Sequence, residues 1–203
     1  MAVNYTIQAN VVDIRHDKPK TEDVFLVDTN VWFWMTYTKA SQTADKYQIQ
    51  YYPSYISKAL SSKSQLCKCG LSLEELSHRI EKTEYDFFSY TRTLTPKEYR
   101  HNYPRERATV VQEVQAAWGQ VNSMANSIDV VIDRDSTDRA LTRMATDPLD
   151  GYDLFILEAI SQAGIVNVIT DDGDYAMVPG IQLFTANKNV IESARNQGRL
   201  IGR

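Results

Sequence analysis

Twice along this chain an apolar run stops abruptly at a cluster of acids. Val24-Phe-Leu-Val27 ends in Asp28-Thr-Asn30, and Ile165-Val-Asn-Val-Ile-Thr170 ends in Asp171-Asp-Gly-Asp174. An apolar run without polar alternation reads as a strand buried on both faces of a parallel sheet, so each acidic end is expected at the sheet's carboxyl edge. Ile181-Gln-Leu-Phe184 predicts a further strand, and Ile128-Asp-Val-Val-Ile132 a short one. Residues 4–14, NYTIQANVVDI, are rich in β-formers and predict an arm or extra edge strand, tethered by a charged, proline-containing linker over 15–23.

Between these runs the apolar spacing changes from two to three and four. A helix is expected over Ile56 to Leu66 after Pro53, and another from Leu71, with Leu73, Leu76 and Ile80 on one face. Thr95 to Ser123 predicts a long amphipathic helix on Val110, Val114, Ala117 and Val121, with Met124 continuing the stripe. Asp153 to Ala163 forms an apolar helix stopped by Gly164, and Lys188 to about Gln197 a last helix before Gly198 and a basic tail, Arg199 to Arg203. Strands and helices in this order describe an α/β protein: a three-layer α/β/α domain around a mostly parallel central sheet.

Composition narrows the class. With 203 residues, 43% of them hydrophobic, the chain can bury a substantial core. No apolar run approaches the roughly 18 residues of a membrane span, and the first residues lack the basic start and apolar centre of a signal peptide. A cytoplasmic protein with no membrane partner is therefore expected. Cys67 and Cys69, one residue apart, support no disulfide framework, and two idle thiols are favoured over a zinc site completed by His78. A formal charge of −4 argues against a protein that coats nucleic acid but leaves room for an enzyme with a local basic rim. Lys97 to Arg107 carries four cations, one histidine and two tyrosines against two glutamates. It is either a solvated connection or a segment suited to touching phosphates and stacking bases.

If the sheet is parallel, the acids of distant segments converge on one edge, where ligands of open α/β sheets bind. Like charges held together raise one another's pKa and destabilise the fold until a cation neutralises them. An oxygen-only donor set suits Mg²⁺ or Mn²⁺. Each acid also has a local reading. Asp28 fits a helix cap, Asp172 and Asp174 a turn about Gly173, Glu75 a capping box with Ser72, and Asp150 and Asp153 the start of a helix.

Val27-Asp-Thr-Asn-Val31, Leu73-Glu-Glu-Leu76 at a helix start, Asp153-Leu-Phe-Ile-Leu-Glu-Ala159 and Ile169-Thr-Asp-Asp-Gly-Asp-Tyr175 follow one another in this order. Together they resemble the ordered motifs of PIN-domain nucleases, over roughly residues 24 to 186. The resemblance implies a PIN-like catalytic domain at 24–186, preceded by the 1–23 arm and followed by a C-terminal helix and basic tail at 187–203. It implies Asp28, Glu75, Asp153 and Asp172 as the catalytic and metal-binding carboxylates, with Asp174 a further acid of the metal site and Glu74 and Asp150 as fallbacks. Thr29, Asn30 and Thr170 would support them, and Tyr175 stands where the family usually has Phe.

The implied activity is Mg²⁺- or Mn²⁺-dependent endonucleolytic hydrolysis of single-stranded RNA, without a protein nucleophile. Arg79, Arg100, Arg105 and Arg107 are the leading candidates to grip the substrate, with Lys82, Arg134 and Arg143 as further cations. Many members are toxins of bacterial toxin-antitoxin pairs and others process RNA, so a protein inhibitor (antitoxin) and a homodimer belong among the partners the resemblance implies. Two other readings compete. A haloacid-dehalogenase-like phosphatase shares the acid after an apolar strand, but its general acid would fall at Asn30, an amide. A PIN-like module that binds RNA or protein without cutting would have no physical reason to keep mutually repelling carboxylates.

Overall fold

The computed structural model describes residues 4–203; the first three residues of the expected arm lie outside them. Seven strands form one sheet: β1 (Asn10–Asp13), β2 (Val24–Val27), β3 (Gln65–Cys69), β4 (Asn126–Ile128), β5 (Asn167–Ile169), β6 (Gln182–Thr185) and β7 (Leu200–Ile201). Their order is β4-β3-β2-β5-β6-β1-β7, and every pairing is parallel.

Side-chain alternation along the strands builds the three layers. Phe25, Val27, Ile169, Phe184 and Val12 face one way. They meet α1 (Thr29–Thr36), α2 (Lys46–Ser61), α3 (Leu71–Ser89) and α5 (Pro104–Met124), contributing Trp32, Tyr52, Ile80 and Val121 among others. Leu26, Val168, Leu183 and Val11 face the opposite way. These pack on α6 (Arg134–Met144), α7 (Gly151–Gln162) and α8 (Lys188–Asn196) through Ala140, Leu157 and Ile191. A strand buried on both faces needs apolar residues at consecutive positions, which is why these runs lack polar alternation.

The sheet reverses its winding between β2 and β5. From β2 the chain winds outward to β3 and β4, then returns to the other side of β2 to lay down β5 and β6. Val27 pairs with Ile169 across this switch point. The residues that follow, Asp28 and Thr170, therefore emerge side by side at the carboxyl edge, the place where a doubly wound sheet opens a crevice.

Several local expectations are corrected. The stretch read as an arm or edge strand contains β1, which lies one strand in from the edge, between β6 and β7. Part of the basic tail is strand β7, and the Arg203 guanidinium binds Asp17 and Asp23 at 2.8 Å each. The helix expected over 56–66 runs instead over α2, and Leu66 belongs to β3. Between them the chain turns at Lys63, whose φ of 62° is left-handed. Gln-Leu-Cys-Lys-Cys carries no β-branched residue and a central lysine, so it gave no strand signal. That lysine, Lys68, is buried and donates to Ala125 O at 3.2 Å and Ser127 Oγ at 2.8 Å.

The long helix expected from Thr95 is two helices, α4 (Pro96–Asn102) and α5, divided at Tyr103 and Pro104. Proline at the first position of α5 has no N–H to give the preceding turn. β4 begins two residues before the expected strand, leaving Val131 and Ile132 exposed. The charged segment after it forms α6, started by a reciprocal Asp133–Ser136 cap. No helix among the described residues is long and apolar enough to cross a membrane.

Candidate active site

Asp28 ends β2 and caps α1. Its Oδ1 accepts the Thr29 N–H at 2.6 Å, and its own N–H donates to Ile169 O at 3.0 Å. The cap expected of Asp28 is thus present. Its other oxygen, Oδ2, accepts from the Thr170 hydroxyl and from Asn30 Nδ2. Asn30 Nδ2 also donates to Thr170 Oγ1 at 2.9 Å, while the buried Asn30 Oδ1 has no hydrogen-bond partner.

The remaining acids arrive from separate elements. Glu75 lies in the first turns of α3, and its Oε2 accepts from the Thr29 hydroxyl. Asp153 enters from the first turn of α7 and is buried; its Oδ1 accepts from the Tyr175 hydroxyl at 2.7 Å. Asp172 follows β5, its N–H donating to Thr170 Oγ1 at 2.9 Å. Asp28, Glu75, Asp153 and Asp172 line one open cleft of about 450 Å³, together with Thr29, Asn30 and Arg79. Glu74, His78, Asp150 and Tyr152 complete its wall.

Electrostatics in this cleft are unfavourable to four free carboxylates. Burial pushes Glu75 up to about 7, and Asp153, Asp150 and Glu74 add to the effect. Asp28 is raised by burial and then by Glu75 and Asp172, against the opposing Thr170 hydrogen bond. Burial also raises Asp153, with the nearby Asp28 charge next in size. Asp172 is raised by burial and by Asp150 and Asp171. Arg79, four residues after Glu75 on the same face of α3, stacks on Phe33 at 4.6 Å and brings one cation to the cleft. One guanidinium does not balance four carboxylates.

No three His, Cys, Asp or Glu side chains among the described residues are already gathered as a ready-made ligand set. The carboxylates line the walls of the cleft instead. In chemical kind these carboxylates fit a hard divalent cation, offering oxygen alone, and the unpartnered Asn30 Oδ1 adds one more oxygen acceptor. Asp28, Glu75, Asp153 and Asp172 are the residues that would hold Mg²⁺ or Mn²⁺.

Other expected residues lie apart from this wall. Asp174 flanks it, its N–H donating to Asp172 Oδ1 at 2.9 Å, and burial raises its pKa. Arg100 and Arg107 both pair with Glu81, at 2.6 and 3.4 Å, and Arg105 is exposed on α5. Arg143 is bound to the buried Glu158 and to Asp147, which gives it a structural task on α6. Arg134 is exposed, and Lys82 pairs with Asp86 at 2.7 Å. Cys67 and Cys69 are free, buried thiols.

Asp171, adjacent to Asp172, points away from the cleft. It accepts from Tyr52 at 2.6 Å, Tyr47 at 2.7 Å and Gln48 at 2.8 Å, fastening the acidic turn to α2. His78 and Tyr152 were not expected at the cleft. His78 falls three residues after Glu75 on one helix face, a spacing that signals its position.

No family profile and no curated protein matches the chain. Among the solved structures similar to it are the following two. One is VapBC2 from Rickettsia felis bound to a DNA fragment from their promoter: 12% identity over 80% of this chain and 98% of that one, TM-score 0.48. The other is PAE2754 from Pyrobaculum aerophilum: 12% identity over 90% and 96% of the two chains, TM-score 0.44. At this identity neither likeness assigns a role to any residue.

Proposed function

We propose that this protein is a PIN-like, divalent-metal-dependent endoribonuclease that hydrolyses phosphodiesters in single-stranded RNA. The observation that carries the reading is the convergence of Asp28, Glu75, Asp153 and Asp172, from four separate elements, on one open cleft. Such a cluster costs stability in the absence of a cation, so its presence argues for a site that holds one.

Bound there, Mg²⁺ or Mn²⁺ would supply a Lewis acid and lower the pKa of water. The chain's own residues keep the carboxylates in place. Thr29 fixes Glu75, Thr170 and Asn30 fix Asp28, and Tyr175 fixes Asp153. Arg79, on the cleft wall, would meet a phosphodiester oxygen there. The cleft wall includes neither serine nor cysteine, in keeping with attack by water. Asn30 counts against the phosphatase reading: its Nδ2 is already committed as an amide donor to Asp28, and an amide cannot deliver and recover a proton.

The deciding experiment incubates wild type and Asp28→Asn with a labelled single-stranded RNA pool, in Mn²⁺ or in EDTA. Cleavage by the wild type in Mn²⁺ alone is expected, with a loss of at least about 100-fold in the variant. Equal turnover by the purified variant would overturn the assignment.

A further inference from the structure

A second cavity, of about 230 Å³, lies between α3 and α4 and shares His78 with the wall of the acidic cleft. Its other α3 residues are Glu81, Lys82, Tyr85 and Asp86, of which Lys82 and Asp86 pair with each other at 2.7 Å. With His78 they fall at steps of three and four, so they continue along the helix the face that carries Glu75 and Arg79. From Glu75 to Glu81 the helix rises roughly 9 Å.

Two rings form the cavity's apolar walls with Pro96. Tyr99 is buried and meets Tyr85 edge to face, 5.7 Å between centroids and 66° between planes. Tyr85 is fixed at its far end, donating from its hydroxyl to Leu94 O at 2.7 Å. The aromatic surface is therefore held in place before any ligand arrives. Polar groups stand beside it: Arg100 donates to both oxygens of Glu81, at 2.6 and 3.1 Å. Arg107 reaches the same carboxylate at 3.4 Å. Because two cations share Glu81, Arg100 can turn to a ligand without leaving that carboxylate unpaired.

We propose that this cavity is a nucleobase subsite, receiving a base of the RNA strand that flanks the phosphodiester in the acidic cleft. A base laid against the part-exposed Tyr85 ring, which the buried Tyr99 backs, gains stacking energy whatever its identity. A guanidinium and a carboxylate side by side present donors and acceptors to the edge of an unpaired base, which discriminates among bases. The subsite also gives a task to Tyr99 and Arg100 of the cationic, tyrosine-containing stretch, which the cleft itself leaves unused.

The proposal rests on the ribonuclease reading, and its test separates the two. The four nucleoside 5′-monophosphates are titrated in EDTA, by calorimetry, into wild type, Arg100→Ala and Lys97→Ala. Lys97→Ala removes an equal charge from the same helix outside the cavity. At least one nucleotide is expected to bind saturably to the wild type, fivefold or more weakly to Arg100→Ala, and within twofold of wild type to Lys97→Ala. Excess inorganic phosphate is expected not to displace it. In parallel, the cut sites in the RNA pool are sequenced, and Arg100→Ala is expected to flatten the preference at a base beside the cut. No nucleotide binding, equal weakening by both variants, or displacement by phosphate alone would overturn the subsite even if Mn²⁺-dependent cleavage is present. Nucleotide binding as described, without any such cleavage, would overturn the ribonuclease reading instead.

Discussion

Tyr175 shows how one hydroxyl can decide whether an acid is useful. It is fully buried, and its hydroxyl donates to Asp153. Its own pKa is raised well above the ordinary value, first by burial and then by Asp153, so it stays a donor at any physiological pH. Tyr175→Phe keeps the ring and removes that donor. The variant is expected to be less stable by about 1–3 kcal/mol at pH 8, where Asp153 loses a bond to its charged form. Its Mn²⁺ titration, followed by thermal shift, should have a midpoint several-fold higher than wild type. An unchanged midpoint would mean that Asp153 is oriented without Tyr175. The resemblance to PIN-domain nucleases singles out this residue, a tyrosine where that family usually has phenylalanine. That its hydroxyl reaches Asp153, 22 positions earlier, follows only from the packing of α7 beside the acidic turn.

The acidic turn between β5 and β6 is braced from two sides. On one side Asp171 is held by Tyr47, Gln48 and Tyr52 of α2. On the other, the Tyr5 ring lies where a side chain on Gly173 would sit, 2.3 Å from an ideal Cβ. Gly173→Ala would push out the far end of Tyr5, a movable ring, so a stability cost below about 1.5 kcal/mol is expected. The larger consequence should be a loosened turn and a weaker response to Mn²⁺, read as a reduced metal-induced rise in Tm. A full metal response in the variant would show that Tyr5 does not set the position of Asp172. Elements with strong periodic patterns were legible from the residues alone: β2, β5, β6, α7 and α8 stand close to where their apolar runs predict. β3 and α6 were hidden for opposite reasons. β3 buries a lysine whose amine finds partners only in the neighbouring strand region, and α6 has an apolar face so sparse that its capping acid is its clearest signal.

At the scale of the whole molecule, the cleft makes stability depend on pH and on metal. Unfolded, its carboxyls titrate near 4. Folded, Glu75 keeps its proton to about 7, and Asp28, Asp153 and Asp172 are also raised. The folded state thus binds more protons in between, and stability falls as pH rises from about 4 through 7. At about 1.4 kcal/mol per pH unit, Glu75 contributes on the order of 1–3 kcal/mol once its partial exposure is allowed for. In EDTA the Tm at pH 8 should lie at least about 3 °C below that at pH 5, and saturating Mn²⁺ should remove most of the difference. A flat profile in EDTA would mean that the acids are not held against one another as described. The convergence itself was legible because two acid-ended strands in a parallel sheet must share an edge. Their adjacency was not, since it depends on β5 returning beside β2 and not beside β4.

The outer strands of the sheet, β4 and β7, are three and two residues long. Strands so short offer another polypeptide almost no ladder to extend, which protects a wide, strongly apolar sheet from edge-to-edge aggregation. Both ends of the sheet are thereby poor templates for growth by strand addition.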